Sequence, residues 1–339
     1  MIYPKFLNIN DSISVIAPSN GISDIAKLNR LNNSIKGFKI LGFNVIEGKN
    51  IRNSIDDRSG SVKDRLEELY TMYNNSDVKF ISCVSGGEYL IEILDKLDFN
   101  VIKNNIKWLQ GYSDPTGLLY AITTKLDIAT IYGSNFCSFG MNKLHLSLKN
   151  NLEILKGNDI LQESFPKYEN GYHNYITGLE EYVLDKDVKW INLDDKKEVK
   201  LKGRIIGGCT DVLLTIVGTK LDYTKEFLNR YNNDKFIWYF DNFDITEDNI
   251  YLSLTKFNNA GWFKSVAGII FGRNTMDKDG VTKEFIAEVK RFLNDNNINI
   301  NAIFDTDIGH KPPQLTIING SMVEVLSENG RGYLKTYLK

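Results

Sequence analysis

Several features that mark common classes of protein are scarce in this sequence of 339 residues. Its three cysteines, Cys83, Cys137 and Cys209, are far apart, odd in number and outside any CxxC motif. A disulfide framework and a zinc site are therefore not expected. No apolar run is long enough to span a membrane, and the N-terminus lacks the basic and uninterrupted apolar segments of a secretion signal. We therefore expect a cytoplasmic protein with no membrane partner.

An excess of charge of one sign is also missing. The 41 Lys and Arg residues nearly balance the 43 Asp and Glu residues, which leaves a net charge of −2. Such a chain has no overall electrostatic attraction for nucleic acid or for an anionic membrane, so small neutral or zwitterionic partners fit better. The hydrophobic fraction of 42% and the charged fraction of 25% are those of a globular protein with a sizeable core.

Nucleotide-binding motifs of two common kinds are absent, because no GxGxxG and no GxxxxGK[ST] follows a predicted strand. Two glycine pairs do follow apolar runs, Gly86-Gly87 and Gly207-Gly208. Such a pair allows a ligand to approach the backbone closely, and a helix that begins there directs its amides toward negative charge. A tight strand-to-helix turn without a ligand explains each pair equally well.

The length and the hydrophobic pattern predict two α/β domains. Short β-branched runs alternate with helical patterns as far as residue 150, the rhythm weakens over residues 151–200, and a second series fills residues 201–339. We therefore predict an N-terminal domain, a connector and a C-terminal domain with these bounds. Within them, helices are predicted near residues 24–42 and 247–260.

The segment from Gly111 to Thr116 is the most informative one for chemistry. Ser113 lies between an apolar strand and a helix that begins with Asp114-Pro115. This is the setting of a nucleophile elbow, in which a sharp turn exposes a serine above a sheet. The alternative is that Ser113 or Asp114 caps the helix, and cap preferences favour that reading when the segment is taken alone.

A nucleophilic serine needs a histidine base, and the sequence has only three. His145 lies in a helical pattern and His173 lies among aromatic residues of the connector. His310 follows a predicted strand and its turn, which places it in a loop at the end of that strand. We therefore consider His310 the best candidate base.

The base needs a carboxylate, and Asp241 and Asp244 follow the very apolar strand Phe236–Phe240. An acid at the end of a buried strand is costly unless it is solvated, paired or functional. The chain order Ser113, Asp241, His310 also occurs in α/β-hydrolases.

Five motifs, which follow one another from about residue 10 to about residue 325, together resemble the LD-carboxypeptidase family. This family of serine peptidases includes muramoyltetrapeptide carboxypeptidases and microcin C self-immunity peptidases. The motifs are Ser14-Val-Ile-Ala-Pro-Ser, Gly111-Tyr-Ser-Asp-Pro-Thr-Gly-Leu-Leu, Ile206-Gly-Gly-Cys, Gly261-Trp-Phe with Gly-Ile-Ile-Phe-Gly-Arg273, and Gly309-His310 with Pro-Gln314.

The resemblance implies a fold and a catalytic triad. An N-terminal flavodoxin-like or Rossmann-like parallel-sheet domain would carry the serine, and a C-terminal swivelling β/α domain would carry the acid and the base. Ser113 matches the family nucleophile and His310 the family base, with no metal and no cofactor. The family usually has Glu where this chain has Asp241, so catalysis requires that the shorter side chain still reaches the imidazole; Asp244 is the reserve candidate.

The resemblance also implies how the substrate is held. The amides of Gly87 and Asp114 would form the oxyanion hole, with each donor worth about 3 kcal/mol. Gly86 and Glu88 would contact the substrate, and Glu88 has an alternative role as a first-turn helix acid.

The expected partner is a small peptide. The first hypothesis is a carboxypeptidase that releases a D-amino acid from a murein tetrapeptide, acting as a homodimer. The second is a microcin C-type immunity peptidase that cleaves a peptidyl or aminoacyl nucleotide, for which Tyr182 and Trp190 are candidates to stack the base. The third is a catalytically weak, peptide-binding relative. The sequence predicts that the active site lies between the two domains, because Ser113 precedes the connector and the acid and base follow it.

Overall fold

The structure is a computed structural model that describes residues 1–171, 173–277 and 280–338. It divides into two compact units. Within the described residues, no helix is both long and apolar enough to cross a membrane.

The two units exchange a segment of chain. The first consists of Met1–Asp159 and His173–Glu181, and the second of Ile160–Tyr172 and Tyr182–Lys339. The stretch predicted as a connector, residues 151–200, is thus divided between them. This division depends on pairing between residues far apart in sequence, which a local pattern does not contain.

The first unit is built on parallel strands with crossover helices. Its strands are β1 (Ser12–Ile16), β2 (Asn44–Glu47), β3 (Val78–Cys83), β4 (Trp108–Gly111) and β5 (Thr130–Tyr132). Its helices are α1 (Ile25–Ile40), α2 (Val62–Asn74), α3 (Ile91–Leu94), α4 (Phe99–Asn104), α5 (Thr116–Leu126) and α6 (Leu146–Leu155), with a 3₁₀ helix at Phe136–Gly140. The strands neighbour one another in the order β5, β4, β3, β1, β2, all parallel. Their carboxyl ends therefore meet at one edge, where α/β folds bind ligands.

Capping explains where the helices of this unit begin. The Asp24 carboxylate accepts the Lys27 amide at 2.9 Å and starts α1, in agreement with the predicted helix over residues 24–42. Ser61 starts α2 with a capping box. The helix predicted to open at Glu88 begins only at Ile91 and makes a single turn.

The second unit has a mixed sheet. Its strands are β6 (Leu161–Glu163), β7 (Lys167–Glu169), β8 (Leu184–Asp187), β9 (Ile191–Asn192), β10 (Glu198–Cys209), β11 (Phe236–Asp241), β12 (Val266–Gly272), β13 (Asn301–Thr306), β14 (Ile317–Asn319), β15 (Met322–Glu328) and β16 (Arg331–Tyr337). Its helices are α7 (Thr210–Ile216), α8 (Thr224–Arg230), α9 (Glu247–Asn259) and α10 (Lys283–Asp295), with a 3₁₀ turn at Leu193–Asp195. The sheet order is β6-β16-β15-β10-β11-β12-β13-β9; β7 pairs with β8 separately, and β14 is not a strand of this sheet. Strands β10 to β13 are parallel, and the outer strands of the sheet are antiparallel.

Stacked aromatic rings fill the core beneath the parallel strands. The Trp238 and Trp262 rings lie 4.9 Å apart, and the Phe240 and Phe257 rings 5.3 Å apart. All four side chains are fully buried. Helix α9 agrees with the predicted helix over residues 247–260.

The register of β10 on β11 sets Cys209 opposite Asp241. Both strands therefore end together, and Asp241 stands at the carboxyl edge. The pair Gly207-Gly208 lies inside β10, so its interpretation as a strand-to-helix turn was wrong. A Cβ on Gly207 would lie 1.9 Å from the Tyr239 carbonyl oxygen, so glycine is needed here for close strand packing.

Candidate active site

Ser113 lies on a sharp turn between β4 and α5. Its φ of +69° is in the left-handed region, which costs a non-glycine residue about 1–3 kcal/mol and is often found at functional sites. The Ser113 carbonyl accepts the Thr116 amide at 2.9 Å. Pro115 occupies the N-cap position and no side chain caps the helix, so the alternative in which Ser113 or Asp114 serves as the cap is wrong. The turn has the form of a nucleophile elbow.

The loop after β3 lies directly against this serine. A Cβ on Gly86 would lie 3.0 Å from Ser113 Oγ and 3.9 Å from the Asp114 amide nitrogen. Gly87 has a φ of +152°, and a Cβ there would lie 2.2 Å from Ser19 Oγ. Glycine at position 86 therefore lets the loop approach Ser113, and glycine at position 87 lets it approach Ser19. The structure brings Gly86, Ser113 and Asp114 together.

The Asp114 carboxylate links these loops by hydrogen bonds, a role that the sequence reasoning missed. It is buried and accepts hydrogen bonds from Ser19 Oγ and, at 2.9 Å, from the Leu90 amide. Burial raises the pKa of Asp114, against the lowering effect of the Ser19 hydrogen bond. One side chain thus joins the loops after β1 and β3 to the turn that carries Ser113.

Glu88 is exposed and precedes the first turn of α3, so its alternative role as a helix acid was wrong. The first-turn acid is Glu92, which pairs with Arg58 at 2.6 Å and with Arg65 at 2.5 Å. The Arg58 hydrogen bond is the largest of the effects that lower the pKa of Glu92 to about 2. Arg65 also donates to the Tyr89 carbonyl at 2.9 Å, so this cluster holds the segment that follows the glycines.

Asp241 and His310 form a buried pair in the second unit. Nδ1 of His310 lies 3.0 Å from Oδ1 and 2.9 Å from Oδ2 of Asp241. The Asp241 side chain is 0% exposed and that of His310 is 8% exposed. The shorter acid therefore reaches the imidazole within the 3.2 Å that a hydrogen bond allows. Because Nδ1 faces the carboxylate, Nε2 is the ring nitrogen that a base of this kind would use for proton transfer.

The loop that carries His310 is fixed by a second buried acid. Asp307 pairs with Arg273 at 2.7 Å and accepts the Trp190 indole N–H at 2.8 Å. Burial raises the pKa of Asp307, while Arg273 opposes this. Trp190 is itself buried, which speaks against its suggested role of stacking a nucleotide base.

Asp211, at the start of α7, fixes the loop after Asp241. Its two oxygens accept the Phe243 and Asp244 amides, each at 3.0 Å. The Phe243 ring packs on the His310 ring at 4.8 Å. Asp244, the reserve candidate, has an exposed side chain and takes part here through its amide. Sequence reasoning missed Asp211. The available signal was its position just after the glycine pair Gly207-Gly208 at the end of an apolar run.

The other two histidines occupy different places. His145 caps α6, since its Nδ1 accepts the Ser147 amide at 3.1 Å. Desolvation lowers its pKa. His173 is exposed. Among the described residues, no group of three His, Cys, Asp or Glu side chains is arranged to hold a metal ion.

Two family models match the chain, one over each unit's central part. The model described as the LD-carboxypeptidase N-terminal domain matches residues 13–133, which include Ser113. The model described as the LD-carboxypeptidase C-terminal domain matches residues 202–325, which include Asp241 and His310.

The chain is also similar to individual proteins whose names or structures point to peptidases of this kind. The microcin C7 self-immunity protein of Escherichia coli is 28% identical over 95% of this chain and 92% of its own length. A probable murein peptide carboxypeptidase of Bacillus subtilis is 26% identical over 65% of this chain and 60% of its own. An MccF-like protein from Bacillus anthracis strain Ames has the same fold, with a TM-score of 0.85, 23% identity and coverage of 99% and 100% of the two chains.

Proposed function

The chain belongs to the LD-carboxypeptidase family, and from this premise we propose that it is a serine carboxypeptidase that cleaves an amide between an L-centre and a C-terminal D-amino acid. The D-alanine of a murein tetrapeptide is the proposed leaving residue. In this proposal the protein acts in murein recycling, as a cytoplasmic homodimer, and Gly86 and Glu88 contact the substrate.

One observation carries the proposal, the hydrogen bond between the buried Asp241 and Nδ1 of His310. A carboxylate without exposure is costly unless its partner compensates for it. Here the partner is an imidazole that meets the carboxylate through Nδ1, and Nε2 is its other ring nitrogen, the one assigned to proton transfer. This supports a working acid and base over the alternative of a catalytically weak peptide-binding relative.

The proposed reaction uses Ser113 as nucleophile. Oγ of Ser113 attacks the carbonyl carbon of the scissile amide while Nε2 of His310 takes the hydroxyl proton. Asp241 keeps Nδ1 protonated and stabilises the imidazolium. His310 then gives the proton to the leaving amine, the C–N bond breaks, and the same residues activate water to release the acyl group from Ser113.

The oxyanion is assigned to the amides of Gly87 and Asp114. The assignment is supported by the close approach of Gly86 to Ser113 Oγ and to the Asp114 amide. Preorganised donors of this kind stabilise the transition state by about 3 kcal/mol each.

A second candidate function is cleavage of a peptidyl or aminoacyl nucleotide. The similarity to the microcin C7 self-immunity protein over 95% of this chain favours it. The same three residues would perform the reaction, and only the binding surfaces would differ.

Comparing substrates separates these functions. We expect the protein to release D-alanine from an L-Ala-γ-D-Glu-X-D-Ala tetrapeptide and to leave the stereoisomer with a terminal L-alanine intact. Faster cleavage of an aminoacyl sulfamoyl adenosine or a peptidyl nucleotide would support the second function. Failure to cleave either substrate class, with folded protein shown by circular dichroism, would contradict both.

A further inference from the structure

The antiparallel part of the second unit's sheet has one buried and one exposed face. Along the first half of β10 and along most of β15 and β16, buried residues alternate with half-buried or exposed ones. The buried face is apolar and includes Val325 and Leu334. The opposite side of β10, β15, β16 and β6, which we call the outer sheet face, carries charged residues together with Leu161, Leu326 and Tyr333. Large apolar side chains on an exposed face of this kind mark a candidate interaction surface.

The outer sheet face is bounded on two sides. It holds a cavity of about 650 Å³ that is lined by residues of all four strands. One boundary is α8 with the turn that follows it, since Arg204, the next outward residue of β10, stacks on the Tyr231 ring at 3.6 Å and pairs with Asp234 at 2.6 Å. The other boundary is β6, the edge strand of the sheet. The face therefore spans four strands, a surface on which a second sheet can pack.

Charge on the outer sheet face alternates in sign from strand to strand. The side chains that carry it are Lys200 and Lys202 on β10, Glu324 and Glu328 on β15, Arg331 and Lys335 on β16, and Glu163 on β6. The four strands thus form positive, negative, positive and negative stripes. One residue departs from this pattern: Glu198, at the first position of β10, pairs with Lys200 at 3.0 Å.

Strand register aligns these residues in rows that cross the sheet. Across β10, β15, β16 and β6, one row consists of Lys202, Glu324, Lys335 and Leu161. The next row consists of Lys200, Leu326, Tyr333 and Glu163. In a third row, Glu328 of β15 lies opposite Arg331 of β16. In every row, the residues of β15 and β16 are therefore complementary, an acid beside a base or one apolar side chain beside another.

We propose that the outer sheet face binds the same face of a second copy of this chain. The two-fold axis runs parallel to the strands, between β15 and β16. This rotation places β15 of each protomer over β16 of the other and β10 over β6, so every negative stripe meets a positive one. The partner's sheet then ends over β10, just before α8 begins. The inference rests on the proposed function in one respect, because it assigns the surface of the homodimer proposed there.

The rows identify the residues that face each other in this dimer. Rotation about the axis keeps each row at its own level, so Glu324 faces the partner's Lys335. In the next row, Leu326 faces the partner's Tyr333. Because the interface is isologous, each contact occurs twice. Two packed sheets twist relative to each other by about 30°, which displaces these contacts, close to the axis, the least. The other facing pairs are Glu328 with the partner's Arg331 and Lys200 with the partner's Glu163.

A second copy fits this face better than a small anion does. Two lysines of the cavity already have an acid within reach, since Lys202 pairs with Glu324 at 2.6 Å and Lys200 pairs with Glu198 at 3.0 Å. A bound anion would meet these carboxylates as well, and they would repel it. The four side chains are 43–71% exposed, and exposed ion pairs contribute little on their own. The same charges can therefore also pair with those of a partner.

Complementary charge reversals test the inference on the full chain, by sedimentation velocity at about 1 to 100 µM. Wild-type protein should form dimers. Glu324→Lys and Lys335→Glu should each raise the dimer dissociation constant at least about 100-fold, because each sets two pairs of like charges against one another. An equimolar mixture of the two variants should restore dimers, because the lysines of one variant then face the acids of the other. Recovery on mixing cannot arise within one chain, in which Glu324 and Lys335 are also neighbours.

Charge reversals elsewhere in the same unit are the matched controls. Lys283 and Glu284 are exposed on α10, whose Phe285 packs on β13, three strands beyond β10. Lys283→Glu and Glu284→Lys should leave the dimer unchanged. If either interface variant fails to fold, as judged by circular dichroism, Glu328→Arg and Arg331→Glu form a second complementary pair with the same expected result.

Three results would overturn the inference. Wild-type protein that remains monomeric at every concentration would leave the outer sheet face to another occupant. Dimers that persist in both single variants would place the interface elsewhere. A mixture that stays monomeric although both variants are folded would contradict the pairing of β15 with the partner's β16.

Assembly and cleavage are measured independently, so the two proposals can fail separately. Glu324 lies opposite Lys202, which precedes Cys209, at the carboxyl end of β10, by seven residues. The monomeric variants should therefore cleave the D-alanine tetrapeptide at the wild-type rate. Dimers that cleave no peptide would support the interface and contradict the peptidase function. A monomeric wild type that cleaves the peptide would support the peptidase function and overturn the interface.

Discussion

Gly309 lies so close to Asp241 that no side chain fits between them. A Cβ on Gly309 would lie 1.8 Å from Asp241 Oδ1, and the glycine φ of +98° is one that other residues rarely adopt. The residue directly before the proposed base is therefore part of the wall that holds the proposed acid. Packing of this kind helps to hold the carboxylate against the imidazole.

Gly309→Ala should lower kcat at least about 100-fold, because the displaced Asp241 carboxylate no longer meets His310 correctly. Gly261→Ala is the matched control, since Gly261 has a φ of +83° but nothing within 4 Å of its Cβ position. The control should lose about 1–2 kcal/mol of unfolding free energy and keep its kcat. Equal loss of kcat in both variants would show that backbone strain, and not contact with Asp241, is responsible.

Asp241→Asn should reduce kcat about 10⁴-fold, because an amide cannot stabilise the imidazolium and favours the wrong tautomer. Asp241→Glu should also reduce kcat, because the existing carboxylate already reaches Nδ1 and an extra methylene beside Gly309 costs about 1–3 kcal/mol of overpacking. Steady-state kinetics on the D-alanine tetrapeptide measure both effects. A rise in kcat for Asp241→Glu would mean that aspartate is too short for its role.

Asp211→Asn should lower kcat about tenfold with little change in KM. The variant has one carboxylate oxygen fewer, so it loses one of the two hydrogen bonds from the Phe243 and Asp244 amides. The Phe243 ring then no longer holds the His310 ring in place. Asp222→Asn is the control, since Asp222 accepts the Gly218 amide at 2.9 Å and the Trp262 indole at 3.0 Å away from the candidate site. It should lower the thermal midpoint and leave kcat unchanged. An unchanged kcat in Asp211→Asn would remove Asp211 from the positioning of His310.

Acid should weaken the first unit through Glu92, whose pKa is about 2 in the folded protein against its usual 4.5. A lowered folded-state pKa means that the ionised form stabilises the fold above pH 4.5, and that this contribution is lost as the pH falls from 4.5 toward 2. The difference in unfolding free energy between wild type and Glu92→Gln should narrow over that range, as measured by denaturant titration. When the same comparison is made in proteins that also carry Arg58→Met, the difference in unfolding free energy should change much less with pH. A difference between wild type and Glu92→Gln that stays constant at every pH would contradict the assignment.

Local sequence features predicted the parts of the molecule that local forces determine. The apolar run before Ser113 and the Asp-Pro after it predicted the turn, and the helical pattern near residues 24–42 predicted α1. The candidate acid and base were found because each follows an apolar strand, and parallel strands bring their carboxyl ends to one edge.

Features that depend on pairing between residues distant in sequence could not be predicted from local sequence patterns. The edge strand β6 pairs with β16, which lies about half the chain away. A strand of three residues is too short for its hydrophobic periodicity to predict this pairing. The register of neighbouring strands likewise determines the hydrogen bond from the Phe243 amide to Asp211 and the contact of Gly309 with Asp241. Glu88 was misread because the helical pattern after the glycines was taken to begin there, whereas α3 begins only at Ile91 and Arg65 donates to the Tyr89 carbonyl before it.

The central claim, that Ser113 is a nucleophile activated by His310 and Asp241, is tested most directly by trapping. A serine-directed phosphonate should modify one residue, and peptide mass spectrometry should place the adduct on Ser113, with His310→Ala slowing the reaction about 10³-fold or more. A chelator should change nothing, because the proposed mechanism uses no metal. An adduct on another residue, or cleavage of the D-alanine tetrapeptide by folded Ser113→Ala protein at the wild-type rate, would contradict the account.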